Sequence, residues 1–133
     1  MTVNQQYLNN YFLNVWSKEH NPSLADTKSG TQLIKKIKPN ETVIDIGCGT
    51  NPFKKLIPNL TGIDPTFPQA DIKSTIEEFN TTEKYDVAFC LGSINFGNVN
   101  HIETQIAKIV TLVNDSGRIY WRCNPGKRDH NNI

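Results

Sequence analysis

Apolar residues in this chain fall into short β-branched runs separated by stretches of helical spacing. Val43, Ile44 and Ile46 form the first run, broken at once by Gly47 and Gly49. Such a run predicts a strand buried on both faces of a parallel sheet. A second strand is expected over Leu60–Ile63, followed by Asp64 and Pro65, and a weak third near Asp71 and Ile72. Tyr85–Leu91 reads as a fourth strand, and Gly117 restarts the chain into a fifth, Arg118–Cys123. Tyr7, Leu8, Tyr11, Phe12, Val15 and Trp16 mark one face of an amphipathic helix over residues 4–18, read as core or as a lid. A linker follows over 20–25, where Asn21-Pro22 disfavours helix. The next helix runs from residue 26 or 27 to Ile37, with Leu33, Ile34 and Ile37 inward. Asn51 and Pro52 read as N-cap and first residue of a short helix that stops before Pro58. Residues 76–79 form a helical turn. The best-defined helix spans 101–113, with Asn100 and Glu103 spaced as a capping box and Ile102, Ile106, Ile109, Val110 and Val113 inward.

Strands alternating with helices predict an α/β fold, a Rossmann-like doubly wound parallel sheet of about five strands. With 133 residues and 37% hydrophobic content, the chain reads as one domain, residues 26–133 forming its core and 1–25 an N-terminal helix and linker. No apolar run approaches the roughly 20 residues that span a bilayer. The N-terminal stretch lacks the basic and apolar regions of a signal peptide. Three widely spaced cysteines argue against a disulfide framework. Together these predict a cytoplasmic protein. A net charge of +1 gives no strong nucleic-acid signal. Arg118, Arg122, Lys127 and Arg128 around Tyr120 and Trp121 read as a strand and a solvated terminus rather than a base-stacking surface. His20, His101 and His130 show no metal-ligand spacing.

Chemistry concentrates in VIDIGCGTNP, residues 43–52, and GIDP, residues 62–65. Glycines after a strand allow a tight turn and close approach of a ligand to the backbone. An acid ending the following strand accepts hydrogen bonds from a ribose diol, which makes Asp64 the candidate. A dinucleotide fingerprint wants a third glycine where Pro52 stands, and Pro52 has no N–H for a phosphate. A looser G-x-G-x-G reading ends at Asn51. Asp45 ahead of the loop suits a cofactor carrying sulfonium and ammonium groups better than a pyrophosphate, so an NAD-type site is the weaker alternative. Cys48 sits in this loop, with backbone packing favoured over a nucleophilic role.

The D-x-G-C-G loop, Asp64, the Ala70-Asp71 pair and YDVAFCLGSINFG at 85–97 resemble the class I S-adenosylmethionine-dependent methyltransferases over roughly residues 31–126. LGSINFG, with WRCNPG at 121–126, resembles more narrowly the small methyltransferase-like proteins of marine bacteriophages, which would place the chain in a host cytoplasm. The resemblance implies S-adenosylmethionine as cofactor. Gly47 and Gly49 would lie against its methionine part, with Asp45, Cys48 and Pro65 in the same shell. Asp64 would bind the ribose and Asp71 the adenine amino group, with Ile72 beside the ring. Leu91, Gly92 and Ser93 would lie below the sulfonium, and Asn95 and Phe96 on the side of an unidentified methyl acceptor. The segment after the fourth strand lacks the N-P-P-[YF] and Pro-Cys motifs of DNA methylation. The family's sheet has seven strands; this sequence offers none after the fifth, which implies a truncated fold. Its fifth strand would then be an apolar edge that pairs with a second copy or marks a fragment. A catalytically silent, adenosyl-binding or regulatory module is the competing expectation.

Overall fold

The computed structural model describes residue 6, residues 28–94 and residues 98–122. The N-terminal helix and linker expected over 4–25, and the polar tail with Cys123, lie outside the described residues apart from Gln6. Among those described, α1 is Lys28–Ile34, followed by β1 Val43–Ile46, β2 Leu60–Ile63, β3 Tyr85–Leu91, α2 Val99–Leu112 and β4 Val113–Arg122. The four strands form one parallel sheet in the order β2-β1-β3-β4. The chain leaves β1 toward β2 and then returns to β3 on the other side of β1, so the carboxyl end of β1 is a switch point. In open α/β sheets ligands bind in the crevice at such a point.

Strands buried on both faces need side chains of both parities to be apolar. On one face Ile44, Ile46, Ile63, Ala88 and Cys90 pack with Ile76, Phe79, Ile109 and Leu112. On the other, Val43, Leu60, Val87 and Phe89 pack with Phe53 and Ile57, and Leu33, Ile34 and Ile37 close over them. Phe53 and Tyr120 meet Phe89 edge-on, at centroid distances of 5.4 and 6.1 Å.

Several local expectations are corrected. The third expected strand shrinks to one bridge, Ile63 with Ile72. Gln69, Asp71, Lys73 and Ser74 surround it and Ile72 is 41% exposed, so no second apolar side chain anchors a strand there. Residues 52–56 turn without forming a helix. Their one bond of α-helical span is Ile57 N–H to Phe53 O, 2.8 Å. Helix α2 starts earlier than expected because Asn98, not Asn100, is its cap: extended at φ −87°, it accepts from the His101 amide at 2.8 Å. Val110 faces solvent, 56% exposed. Strand β4 begins at Val113, directly after α2, and its register with β3 jumps between Val113 and Arg118. It occupies the sheet edge among the described residues, with Trp121 exposed.

Arg118 joins this edge to the segment between α1 and β1. Its guanidinium donates to both Glu41 oxygens at 2.8 Å, to the Lys36 carbonyl and to the Tyr120 hydroxyl. Hydrogen bonds from Arg118 and from the Lys38 amide hold Glu41 at about 2, below its ordinary 4.5. The folded state therefore binds a proton at Glu41 less readily than the unfolded chain does. The stabilisation is complete above about pH 4.5 and is lost as pH falls toward 2. Arg118→Met is expected to flatten the fall in melting temperature across that window; an unchanged acid limb would show that the fork contributes nothing.

Candidate functional site

Three turns meet at the carboxyl ends of β1, β2 and β3. The first, Gly47 to Asn51, takes left-handed backbone at three alternate positions: Gly47 at φ 73°, Gly49 at 59° and Asn51 at 62°. Asn51 therefore occupies the third place of the looser G-x-G-x-G pattern and is no N-cap, since a cap residue is extended. Asparagine is among the few non-glycine residues that tolerate this conformation. The amides of Gly47 and Cys48 both donate to the Ile63 carbonyl, at 2.9 and 3.0 Å, which ties the turn to the end of β2.

The two glycines differ in what they face. A Cβ on Gly47 would lie 2.3 Å from the Ser93 Cβ, and the Ser93 hydroxyl donates to the Ile46 carbonyl at 2.6 Å. Gly47 thus seats the turn after β3 against the turn after β1. Among the described residues, a Cβ on Gly49 would meet nothing within 4 Å. Gly49 is the open face of the loop, where a ligand can reach the backbone.

Asp64 is 7% exposed and holds this arrangement together. One oxygen accepts from the amides of Thr66, 2.7 Å, and Phe67, 3.1 Å; the other accepts from Gly49 N–H at 3.0 Å. A carboxylate offers about four acceptor positions, so one remains on the oxygen that faces Gly49. Burial outweighs the three amides and pushes the Asp64 carboxyl above its ordinary range. Asp45, at the end of β1, is raised to about 7 by burial and then by the charge of Asp64. Burial, with Asp45, Asp64 and Asp71 adding to it, pushes the Cys48 thiol up and disfavours its thiolate.

Asp71 stands at the outer end of the cluster. One oxygen accepts from the Gly62 amide at 2.8 Å and from the Asn51 side-chain amide at 3.2 Å. The other lies 3.5 Å from the Lys54 ammonium. Burial raises its carboxyl, but the Gly62 amide, Asn51 and Lys54 together outweigh it and hold Asp71 below the ordinary range. Asn51 also donates to the Gln69 carbonyl at 3.2 Å. Its own Oδ1 is the one buried side-chain polar atom without a partner among the described residues. A Cβ on Gly62 would come within 2.4 Å of that oxygen and 2.8 Å of the Cys48 sulfur, so the Asn51 amide lies flat over a residue that has to be glycine. A hollow of about 470 Å³ opens beside the loop, bordered by Asn51, Lys54, Lys55, Gln69 and Asp71.

The structure thus gathers Asp45, Gly47, Cys48, Gly49, Asp64, Pro65, Asp71, Ile72, Leu91, Gly92 and Ser93 around the carboxyl ends of β1, β2 and β3. Asn95 and Phe96 lie outside the described residues. Asn51 and Gly62 were missed as site residues, although the alternate spacing of Gly47, Gly49 and Asn51 signalled the left-handed position. No group of three His, Cys, Asp or Glu among the described residues could hold a metal, and no described helix is long and apolar enough to cross a membrane.

No protein-family model matches the sequence, and no curated protein matches it. Solved structures do match the fold. The N-methyltransferase NodS from Bradyrhizobium japonicum WM9, in complex with S-adenosyl-L-homocysteine, aligns at a TM-score of 0.60 with 19% identity over 86% of this chain and 69% of its own. The 1,6-didemethyltoxoflavin-N1-methyltransferase of Burkholderia thailandensis, with bound 1,6-didemethyltoxoflavin and S-adenosylhomocysteine, aligns at 0.70 with 15% identity over 90% of this chain. The chain spans 63% of that enzyme's length. Magnesium protoporphyrin IX methyltransferase from Synechocystis PCC 6803, with bound S-adenosylmethionine, aligns at 0.64 with 12% identity, over 86% of this chain and 74% of its own. At these identities the likeness is one of fold: the Rossmann-like α/β architecture of methyltransferases.

Proposed function

We propose that this chain binds S-adenosylmethionine at the carboxyl ends of β1, β2 and β3 and transfers its methyl group to a small-molecule acceptor. The observation that carries this reading is the left-handed loop at the switch point, open at Gly49 and tied by the Gly49 amide to the acid that ends β2. The donor set fits the cofactor. Gly49 leaves room for a ligand against the backbone, and the buried acids Asp45 and Asp64 favour a cation and hydroxyl donors over a pyrophosphate. The same acids count against the pyrophosphate of an NAD-type ligand, and Pro52 adds to this because it has no N–H to offer a phosphate. The bound molecules of the solved neighbours support the same choice, and the toxoflavin enzyme's bound ligand supports a small acceptor.

S-Adenosylmethionine supplies an electrophilic methyl on a sulfonium. The chain's part is to bind, orient and exclude water. In this reading the remaining acceptor position of Asp64 takes a ribose hydroxyl, and Asp71 takes the base. Above about pH 7 the ionised Asp45 sets the negative potential against which the cation rests, while Gly47, Ser93 and the Ile46 carbonyl fix the wall between the first and third turns. Methyl transfer is an in-line displacement, so such positioning supplies much of the rate.

Titration calorimetry with S-adenosylmethionine, S-adenosylhomocysteine and NAD tests the reading. Both adenosyl ligands are expected to bind and NAD is not; tight NAD binding alone would overturn the cofactor assignment. Asp45 adds a pH arm. Its proton is held more tightly in the folded chain than in the unfolded one, so its contribution to stability is present at low pH and is lost as pH rises toward about 7. Asp45→Asn is therefore expected to raise the melting temperature at pH 8. It is also expected to lower the affinity for the cationic S-adenosylmethionine relative to neutral-sulfur S-adenosylhomocysteine. An unchanged ratio would remove Asp45 from the potential felt by the sulfonium.

A further inference from the structure

We infer that Asn51 is a positioning residue that orients Asp71 to select a base bearing an exocyclic amino group over its 6-oxo counterpart. The inference rests on the adenosyl-cofactor reading above and assigns it a specificity device.

The side-chain amide has only one productive orientation. Asp71 and the Gln69 carbonyl, both acceptors, lie on one side of it, so Nδ2 must face them and Oδ1 must turn toward Gly62. There Oδ1 is buried without a donor. The backbone at φ 62° would suit glycine better. Asn51 therefore stands at a position where both its backbone and its carbonyl are placed at a disadvantage. What its side chain adds in return is a second hydrogen bond to the Asp71 oxygen already held by the Gly62 amide. Two donors on one oxygen fix the rotation of the carboxylate and leave the other, which faces the Lys54 ammonium at 3.5 Å, with a second acceptor position for an incoming donor. The Lys54 ammonium, held by the Leu60 carbonyl and 3.5 Å from that second oxygen, attracts the carboxylate, and without Asn51 only the Gly62 amide opposes it. An amino group donates to a carboxylate, whereas a 6-oxo group is repelled by it and attracted by an ammonium. The balance between Asn51 and Lys54 thus sets which base is accepted.

The test compares S-adenosylhomocysteine with S-inosylhomocysteine, its 6-oxo analogue, by calorimetry on the full chain, Asn51→Gly and Asn51→Asp. The unsubstituted chain is expected to prefer the adenosyl ligand at least tenfold, and both variants to lose most of that preference. Asn51→Gly relieves the left-handed backbone and removes the unpartnered oxygen, so its preference should fall without a matching fall in melting temperature. Asn51→Asp keeps the size of the side chain but sets a carboxylate against Asp71, which covers the case in which the glycine variant fails to fold. A preference retained in both variants, or absent from the unsubstituted chain while both ligands bind, overturns the role of Asn51 and leaves the cofactor reading standing. Failure of the unsubstituted chain to bind either ligand overturns both.

Discussion

Asp64→Ala is expected to weaken S-adenosylhomocysteine binding by at least about 1 kcal/mol, and to destabilise the fold by about 2–4 kcal/mol as well. The second effect arises because this carboxylate accepts three backbone amides, those of Gly49, Thr66 and Phe67. Truncation leaves buried N–H groups without partners, and an unmet buried donor costs more than the hydrogen bond itself contributes. Asp64→Asn separates the two effects. Its remaining oxygen can keep the Thr66 and Phe67 amides while its NH2 group faces the Gly49 amide, a donor against a donor. The asparagine variant should stay folded in urea titrations, with most of its loss in ligand affinity. A folded Asp64→Asn protein that binds S-adenosylhomocysteine as tightly as the unsubstituted chain would remove Asp64 from the site.

Gly49→Val carries the other large effect. The left-handed backbone costs a side chain roughly 1–2 kcal/mol, but no atom of the described residues lies within 4 Å of the new Cβ. The fold should therefore survive with its helical circular dichroism intact. The valine instead fills the open face of the loop, and affinity for S-adenosylhomocysteine is expected to drop by a hundredfold or more, about 2.7 kcal/mol. Gly47→Ala is the contrasting substitution. Its methyl collides with Ser93, so it should destabilise by about 1–3 kcal/mol, and Ser93→Gly should recover part of that loss in a double-mutant cycle. If Gly49→Val binds normally, the ligand does not approach this face.

Why some of this was legible beforehand follows from where the information lies. The bounds of β1, β2 and β3 match the sequence expectations because each is a short, mostly apolar run followed at once by a glycine or an acid, a local signal. The third expected strand failed because Ile72 alone, among polar neighbours, has too little to bury. The start of α2 was misplaced because Asn98 and Asn100 are equally good caps by residue type, and only the extended backbone at Asn98 decides between them. Asn51 was misread for a different reason. The pair Asn-Pro is a common helix start, and the competing signal, left-handed tolerance in register with two glycines, becomes decisive only once the loop closes over Gly62. The contact Asp71–Gly62 joins a turn to β2 and Asn51–Gln69 joins two separate turns, and hydrophobic periodicity carries no trace of such pairings.

The all-parallel sheet also dictates how the chain can come together. Val43 pairs with Leu60 on one side and with Val87 on the other, so β1 gains both neighbours only after two loops have closed. Loop closure has to precede the contacts that reward it, which makes such topologies slow to fold. By contrast β3, α2 and β4 follow one another along the chain from Tyr85 to Arg122, and form a unit whose contacts are comparatively local. Docking of β1 and β2 onto that unit through Val43–Val87 and the Thr42–Asp86 hydrogen bonds is therefore expected to come late, with pulsed hydrogen exchange protecting β3 and α2 before β1. The glycine loop, suspended between β1 and β2 and tied to the Ile63 carbonyl, would take its left-handed shape in that same step. A ligand that requires the shape is a ligand for the final folding event, and its binding free energy bears directly on whether the late-docking half stays closed.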